Sequence, residues 1–190
     1  TMITTAIRKK FMEYPVIAAV RTPEDFEAAF HSKVKIIFMV GGDVFKCRKK
    51  IQEAKEQGMV VFFHMDLVEG IGKDASGIHF AKETLGISGV QSTRVHILKL
   101  AKQEKLVTVH RLFVTDFQAL QSGLKLVHTS NPDFVELTPG ILHPIVKKVS
   151  KEIPYPVISS GLIAGKDEVE KLLEEGASNI VCSDQKLWSF

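Results

Sequence analysis

The chain has 190 residues, of which 45% are hydrophobic and 25% are charged, and its formal net charge is +3. This composition excludes a disordered chain, and the net charge is too small to define a nucleic-acid or membrane surface by itself. Cys47 and Cys182 form no closely spaced pair, and no apolar run approaches the roughly 18 residues of a membrane span. We therefore expect one domain over residues 1–190, in a reduced cytoplasmic protein with no membrane partner.

Eight short apolar runs repeat along the chain. Most are rich in Val, Ile and Phe and lack polar alternation, as parallel strands buried on both faces do. They occupy residues 16–20, 36–40, 59–63, 89–91, 106–109, 134–137, 157–159 and 179–182.

Apolar residues with helical spacing fill most of the gaps between these runs. The shared faces are Phe26, Ala29 and Phe30; Val44, Cys47, Ile51 and Ala54; Phe117, Leu120, Leu124 and Val127; Leu142, Ile145, Val146 and Val149; and Val169, Leu172 and Leu173. Strand–helix alternation implies parallel crossovers, and eight units predict an α/β fold that is a single (β/α)8 barrel. Its helices should be short, because the chain falls below the roughly 200 residues usual for that fold. A doubly wound open sheet is the alternative.

Polar residues follow most of the predicted strands at their carboxyl ends, which is where barrels build their sites. We therefore expect a ligand site at this mouth. The residues at these ends are Arg21, Asp43, His64, Asp66, Glu69, Ser92, Thr93, Arg111, Glu136, Thr138, Ser160, Gly161, Ser183 and Asp184.

The seventh and eighth units carry the pattern of a phosphate site, because the loops after these strands usually bind phosphate in this fold. Ser160, Gly161 and Leu162 would supply backbone donors, and Ser183 would add a hydroxyl. The alternative is that Gly161 only makes a tight turn and Ser183 only caps the last helix.

The stretch "HMDLVEGIG" brings His64 and Asp66 two residues apart, so on a strand their side chains are expected to share one face, with Glu69 in the following loop. One interpretation is acid–base catalysis or a divalent metal. We favour the other, a buried histidine–carboxylate network, because the spacing is no specific metal signature. We expect no metal and no cofactor. Arg111 then pairs with Glu136, with Asp66 or with a ligand phosphate.

Three basic clusters lie outside the predicted strands. On the outer helices of a barrel, such clusters usually belong to solvent-exposed faces. The sequence also contains no RNA-recognition motif with stacking aromatic residues. The clusters are Arg8, Lys9 and Lys10; Lys46, Arg48, Lys49 and Lys50; and Lys147, Lys148 and Lys151.

Five segments together resemble a known family: "FFHMDLVEGIGKD", "VHRLFVTD", "PDFVELTPG", "VISSGLIAGKDEV" and "VCSDQKLW". They resemble the glycerol-3-phosphate-responsive antiterminators of the glycerol uptake operon, in the same order from about Pro15 to Trp188. The resemblance implies a cytoplasmic bacterial regulator that binds glycerol 3-phosphate and acts on leader mRNA to prevent transcription termination. The alternative is a barrel enzyme for a small phosphorylated substrate, with Asp66, His64 and Glu136 as acid–base groups.

The resemblance also assigns residues. It puts the phosphate at Gly161, Leu162, Ile163 and Ser183. Ser160 stands where the family often has glycine, so its side chain either donates to the phosphate or crowds it. Five polar residues are then candidates to meet the glycerol hydroxyls or set the local charge: Asp43, His64, Asp66, Arg111 and Glu136.

RNA contact is expected from the second basic cluster, Lys46, Arg48, Lys49 and Lys50. The negative charge of the bound ligand would repel RNA from the mouth. Ligand binding must therefore act on RNA binding indirectly, by ordering loops or by changing the assembly of a homo-oligomer.

Overall fold

The computed structural model describes residues 4–190 and contains a closed barrel of eight parallel strands in chain order. Pairing of the first strand with the last closes the sheet, so the predicted (β/α)8 barrel is confirmed and the open-sheet alternative is wrong. The strands are β1 Val16–Val20, β2 Ile36–Met39, β3 Val60–His64, β4 Gly89–Ser92, β5 Val107–Phe113, β6 Phe134–Thr138, β7 Val157–Ser160 and β8 Ala177–Cys182.

The α-helices surround the barrel and are short, as expected, with 8 to 14 residues each. A 3₁₀ helix, Gln185–Ser189, follows β8. The α-helices are α1 Thr5–Glu13, α2 Pro23–Phe30, α3 Val44–Glu56, α4 Ala75–Glu83, α5 Val95–Gln103, α6 Phe117–Ser130, α7 His143–Glu152 and α8 Lys166–Glu174.

Alternate residues of each strand point into the barrel, where large side chains fill the interior. Phe38 and Phe62 stack there with ring centroids 4.9 Å apart. Gly89 pairs with Phe62 on the neighbouring strand, and a Cβ atom at Gly89 would overlap the phenyl ring. The fourth strand therefore has a glycine at this inward position, because a larger residue would collide with Phe62.

Helix α1 closes the amino end of the barrel, a role that the apolar patterns did not predict. The ring of Phe11 stacks on Phe134 at 4.4 Å between centroids and meets the edge of Phe62 at 5.7 Å. Nδ2 of Asn179 donates to the carbonyl oxygens of Phe11 and Tyr14, at 2.9 and 3.0 Å. Helix α1 therefore covers the amino end of the barrel interior, and no helix of this kind within residues 4–190 covers the carboxyl end.

The outer helices pack largely as their patterns predict. All four residues of the face predicted for α3 are buried, as are Leu120 and Val127 of α6. The prediction for Phe117 is wrong, since its side chain is 65% exposed. Phe117 is the first residue of α6, directly after its N-cap, and its ring lies 5.6 Å from Nζ of Lys148 rather than against the strands.

No helix among residues 4–190 is both long enough and apolar enough to cross a lipid bilayer.

Candidate functional site

Polar side chains occupy the inner face of five consecutive strands near their carboxyl ends. Each stands two positions after a residue of the barrel core, as the two-residue period of a strand requires. All are buried except Arg111, which is partly exposed. The five are His64 on β3, Gln91 on β4, Arg111 on β5, Glu136 on β6 and Ser160 on β7.

Glu136 is the centre of this polar layer. Its side chain is 1% exposed, and it accepts hydrogen bonds from Nε2 of Gln91 and from the hydroxyl of Ser160. Nε of Arg111 lies 3.7 Å from Oε1 of Glu136. Burial raises the pKa of the Glu136 carboxyl, while the Arg111 charge and the two hydrogen bonds oppose that rise. Whether this carboxyl is ionised therefore depends on the Arg111 charge and on the hydrogen bonds from Ser160 and Gln91.

Arg111 is held between two partners. Its Nη1 atom lies 2.9 Å from Nε2 of His64, on the opposite side from Glu136. Burial and the Arg111 charge lower the pKa of His64 to about 4, so the imidazole is neutral near pH 7 and its Nε2 accepts from Arg111. These contacts fix the guanidinium at the barrel mouth.

A cavity of about 430 Å³ opens above this layer. The loop after β7 forms one wall, and both Gly161 and Leu162 have left-handed backbone there, with φ of 87° and 59°. Such a conformation is costly for leucine and is typical of functional turns. Within residues 4–190, the N–H groups of Gly161, Leu162 and Ser183 donate to no protein acceptor. The cavity therefore has free backbone donors of the kind that bind anions.

Arg21 supplies a cation to the same wall. It directly follows β1, and its Nη1 atom donates to Oγ of Ser183 at 3.4 Å. Arg21 was expected at a strand end but not among the ligand residues, and Gln91 was not expected at the site. Both could have been found from position alone, since Arg21 ends an inward-facing row and Gln91 stands two residues after Gly89.

Six of the nine predicted ligand residues line this cavity: Arg111, Glu136, Ser160, Gly161, Leu162 and Ser183. The Ser160 hydroxyl donates to Glu136, so it serves the polar layer. His64 lies behind Arg111 and acts through it. One side of the cavity is therefore rich in hydrogen-bond donors that can bind an anion, and the other side carries the Glu136 carboxyl and the Gln91 amide.

Asp43 and Asp66, two further predicted ligand residues, have other partners. The Asp43 carboxylate caps α3 by accepting from N–H of Phe45 at 2.7 Å. Asp66 lies in a turn beyond β3 and accepts from Ser92, Thr93 and Arg94.

The strand ends at His64, so the expected common face of His64 and Asp66 does not form. Burial alone would raise the pKa of Asp66, but its hydrogen bonds outweigh burial and lower it. Among residues 4–190, no three His, Cys, Asp or Glu side chains lie close enough together to hold a metal ion.

The predicted RNA-contacting residues lie along α3, but they are not equivalent. Lys46, Arg48 and Lys49 are exposed, and none of them forms an ion pair with a residue in the range 4–190. Lys50 instead contacts carboxylates of Glu27 on α2 and Glu53 on α3. Three of the four charges are thus free to meet an anionic partner.

A larger groove of about 780 Å³ lies at the opposite end of the barrel, beside α1. Phe11, Phe134 and Tyr155 are among its walls, and the carboxyl ends of the strands are far from it. The mouth is the better candidate site, because it combines free backbone donors, two arginines and a buried carboxyl in one cavity.

Three known proteins resemble this chain over nearly its full length. A glycerol uptake operon antiterminator regulatory protein from Listeria monocytogenes str. 4b F2365 is 31% identical, with a TM-score of 0.85 over 91% of this chain and 94% of that one. A glycerol uptake operon antiterminator-related protein from Thermotoga maritima MSB8 is 27% identical, with a TM-score of 0.82 over 93% of this chain and 99% of that one. The uncharacterized protein YgcP of Escherichia coli strain K12 is 29% identical over 92% of each chain.

The family model described as "Glycerol-3-phosphate responsive antiterminator" matches residues 16–188, which include all eight strands of the barrel. A match of this length covers the mouth, its polar layer and the loop after β7 together. The chain therefore belongs to the family of glycerol-3-phosphate responsive antiterminators.

Proposed function

We propose that this chain binds glycerol 3-phosphate in the mouth cavity and, in that state, binds the leader mRNA of glycerol-metabolism genes and prevents transcription termination. Family membership supports the overall role. The observation that carries the ligand assignment is the convergence of Arg21, Ser183 and the free N–H groups of Gly161 and Leu162 in one cavity.

The phosphate group lies against this convergence. Arg21 offers a guanidinium, which suits phosphate oxygens because its donors form a planar fork. The N–H groups of Gly161 and Leu162 add uncharged donors, and Ser183 adds a hydroxyl that Arg21 already orients. A phosphomonoester carries about two negative charges near neutral pH, and Arg21 and Arg111 together match them.

The glycerol hydroxyls lie over the polar layer. A hydroxyl is both donor and acceptor, so it can donate to Glu136 and accept from Gln91 or Arg111. The cavity of about 430 Å³ is ample for a three-carbon ligand. Ser160 holds Glu136 in place by its own hydrogen bond, which gives the serine at this position a supporting role.

RNA contacts lie on α3, outside the mouth. Lys46, Arg48 and Lys49 are exposed and have no ion-pair partner among residues 4–190, whereas Lys50 is held by Glu27 and Glu53. A ligand phosphate in the mouth would repel RNA from there. The ligand therefore acts by changing loop order or homo-oligomer assembly, since it shifts an equilibrium only through different affinities for two states.

Calorimetric titration of the purified protein tests the ligand, with glycerol 3-phosphate, glycerol and inorganic phosphate as the three titrants. We expect glycerol 3-phosphate to bind far more tightly than either fragment, because it alone occupies both halves of the cavity. Equal binding of all three would contradict the proposed site.

Electrophoretic mobility shift of a leader transcript from a glycerol-metabolism gene, with and without saturating glycerol 3-phosphate, tests the regulation. We expect a shift that depends on the ligand. The alternative activity, a barrel enzyme, predicts turnover of the ligand, so phosphorus-31 NMR of the same mixture distinguishes the two. Consumption of glycerol 3-phosphate without any RNA shift would favour the enzyme.

A further inference from the structure

Phe45 is a large aromatic side chain that the fold leaves in solvent. It is the second residue of α3, and its side chain is 68% exposed. Cζ of Arg48, one helical turn later, lies 4.3 Å from the centroid of the Phe45 ring. A single exposed apolar residue needs no explanation, so the surroundings of Phe45 decide whether it has a use.

Those surroundings are cationic. Lys46, Arg48 and Lys49 lie within four residues of Phe45 on the same helix and have no ion-pair partner among residues 4–190. Two other exposed aromatics lie next to a cation: Phe113 lies by Arg111, which is paired with Glu136, and Phe117 lies by Lys148. Lys147, the neighbour of Lys148, is already paired with a carboxylate of Glu175 at 2.9 Å. The α3 surface therefore has the larger uncompensated charge.

A groove continues from this point along α3. It has a volume of about 820 Å³ and runs between α3 and the turn after α4. Gln52 and Lys55 follow Arg48 and Lys49 at helical spacing, and Leu85 forms part of the opposite side. The groove thus carries three cations, Arg48, Lys49 and Lys55, and one acid, Glu56, which accepts from Gln52; Phe45 lies just beyond its Arg48 end.

We propose that Phe45 stacks against one unpaired base of RNA while Arg48 and Lys49 bind the flanking phosphates. This inference rests on the proposed function and adds the kind of RNA that α3 recognises, a single-stranded segment. A base stacks readily on an aromatic side chain once it is free of its own stack, and cations beside the ring hold the backbone. Bases in a duplex are already stacked and cannot reach the ring.

The position of Phe45 also connects it to the ligand cavity. The turn before α3 packs on Arg21 so closely that a Cβ at Gly42 would overlap the Arg21 carbonyl oxygen. Sγ of Cys47 donates to the same oxygen at 3.9 Å. Arg21 reaches Ser183 at its other end. Arg21 therefore contacts both places: its side chain lies at the ligand cavity, and its carbonyl oxygen contacts the turn before α3, the helix that carries Phe45.

Filter binding of labelled, random-sequence single-stranded RNA to the full chain tests the inference, at fixed salt and saturating glycerol 3-phosphate. Phe45→Ala should weaken binding at least about fivefold, the lower end of what stacking on one base contributes, and Phe45→Trp should retain it. Phe80→Ala is the matched control, because Phe80 is also an exposed aromatic, on α4. It should bind as the parent protein does. Duplex RNA should bind Phe45→Ala and the parent protein equally.

The outcomes separate this inference from the proposed function. If the parent protein with ligand present binds neither this RNA nor the leader transcript, both fail; if it binds the leader transcript alone, only the stacking role fails. If the parent protein binds and Phe45→Ala binds equally well, only the stacking role fails. Equal weakening for single-stranded and duplex RNA would also overturn it, since that result indicates a disturbed helix. If Phe117→Ala loses binding of single-stranded RNA and Phe45→Ala keeps it, the stacking contact lies on α6 and not on α3. Thermal melting of each variant shows whether it is folded.

Discussion

Arg111 and Glu136 face each other in register on neighbouring strands, and Nε of Arg111 lies 3.7 Å from Oε1 of Glu136. The carboxyl is buried, whereas the guanidinium reaches the mouth cavity. One end of the barrel core is therefore closed by an ion pair that also forms the floor of the mouth cavity. This double role means that stability and binding can be altered by the same residues.

Removing the cation alone should destabilise the fold. Arg111→Met leaves the Glu136 carboxylate buried without a counter-charge, and we expect a loss of about 3 kcal/mol in the free energy of unfolding. The double variant Arg111→Met with Glu136→Gln should recover most of that loss, because no buried charge remains. Urea denaturation of the two single variants and the double variant measures the coupling. Simply additive losses would show that the two groups do not interact.

A side chain at Gly161 should damage the phosphate half of the site. The φ of Gly161 is 87°, and a Cβ atom there would lie 2.7 Å from Oγ1 of Thr138. We expect Gly161→Ala to weaken glycerol 3-phosphate binding about tenfold or more, because left-handed backbone and the close contact are both unfavourable for alanine. Gly165→Ala is the control in calorimetry, since Gly165 has an extended φ of −154° and open space around its Cβ position.

If Gly161→Ala and Gly165→Ala bind the ligand equally well, the phosphate lies elsewhere.

Arg21 should recognise the phosphate rather than the glycerol. Loss of a charged hydrogen bond costs about 1.5–3 kcal/mol, so we expect Arg21→Gln to weaken glycerol 3-phosphate binding roughly 10- to 100-fold. Glycerol alone should bind the variant and the parent protein equally. Arg8→Gln, at the opposite end of the barrel, provides a control with the same charge change. If Arg21→Gln weakens the binding of glycerol 3-phosphate and of glycerol by the same factor, Arg21 has a structural role rather than a role in phosphate recognition.

The pKa of His64 predicts an acid-sensitive fold. In the unfolded chain this histidine has the ordinary pKa of 6.5, and in the fold the pKa is about 4. Between these values the unfolded state binds more protons, so stability is complete above pH 6.5 and falls as the pH decreases toward 4. At pH 5 the loss from His64 is about 2 kcal/mol.

His64→Gln should remove this contribution, because its amide oxygen can accept from Arg111 without titrating. Urea unfolding at pH 7 and pH 5 should therefore show a smaller drop for the variant than for the parent protein. Equal drops would assign the acid sensitivity to other groups.

Lys49 and Lys50 are adjacent in the sequence and should differ in RNA binding. Lys49 is exposed and forms no ion pair within the described part of the chain, residues 4–190, and Lys50 is held by Glu27 and Glu53. Each cation that neutralises a phosphate of single-stranded nucleic acid contributes about 0.7 to the slope of log affinity against log salt. Lys49→Ala should reduce that slope by roughly this amount, and Lys50→Ala should leave it unchanged. Equal slopes for the two variants would contradict the assignment of the contact to Lys49.

Much of the site was predictable because loop positions follow from the strand pattern. Gly161, Leu162 and Ser183 follow the last two apolar runs, and any barrel brings those two loops together. Asp43 and Asp66 show the limit of this argument. Both follow strands, but one caps a helix and the other binds a neighbouring loop, and these roles depend on where the N–H and hydroxyl donors lie in space.

The sequence by itself determined the repeated strand–helix units and the turn at Gly161, whereas the pairing of β1 with β8 closed the barrel. The units and the turn depend on the order of apolar runs and on local backbone geometry. Only the tertiary structure decided that Arg21 meets Ser183, that His64 supports Arg111, and that Lys50 but not Lys49 is paired. Each of these contacts joins residues from different elements. Such contacts depend on the stagger of the strands and the placement of helices around them, which no local pattern contains.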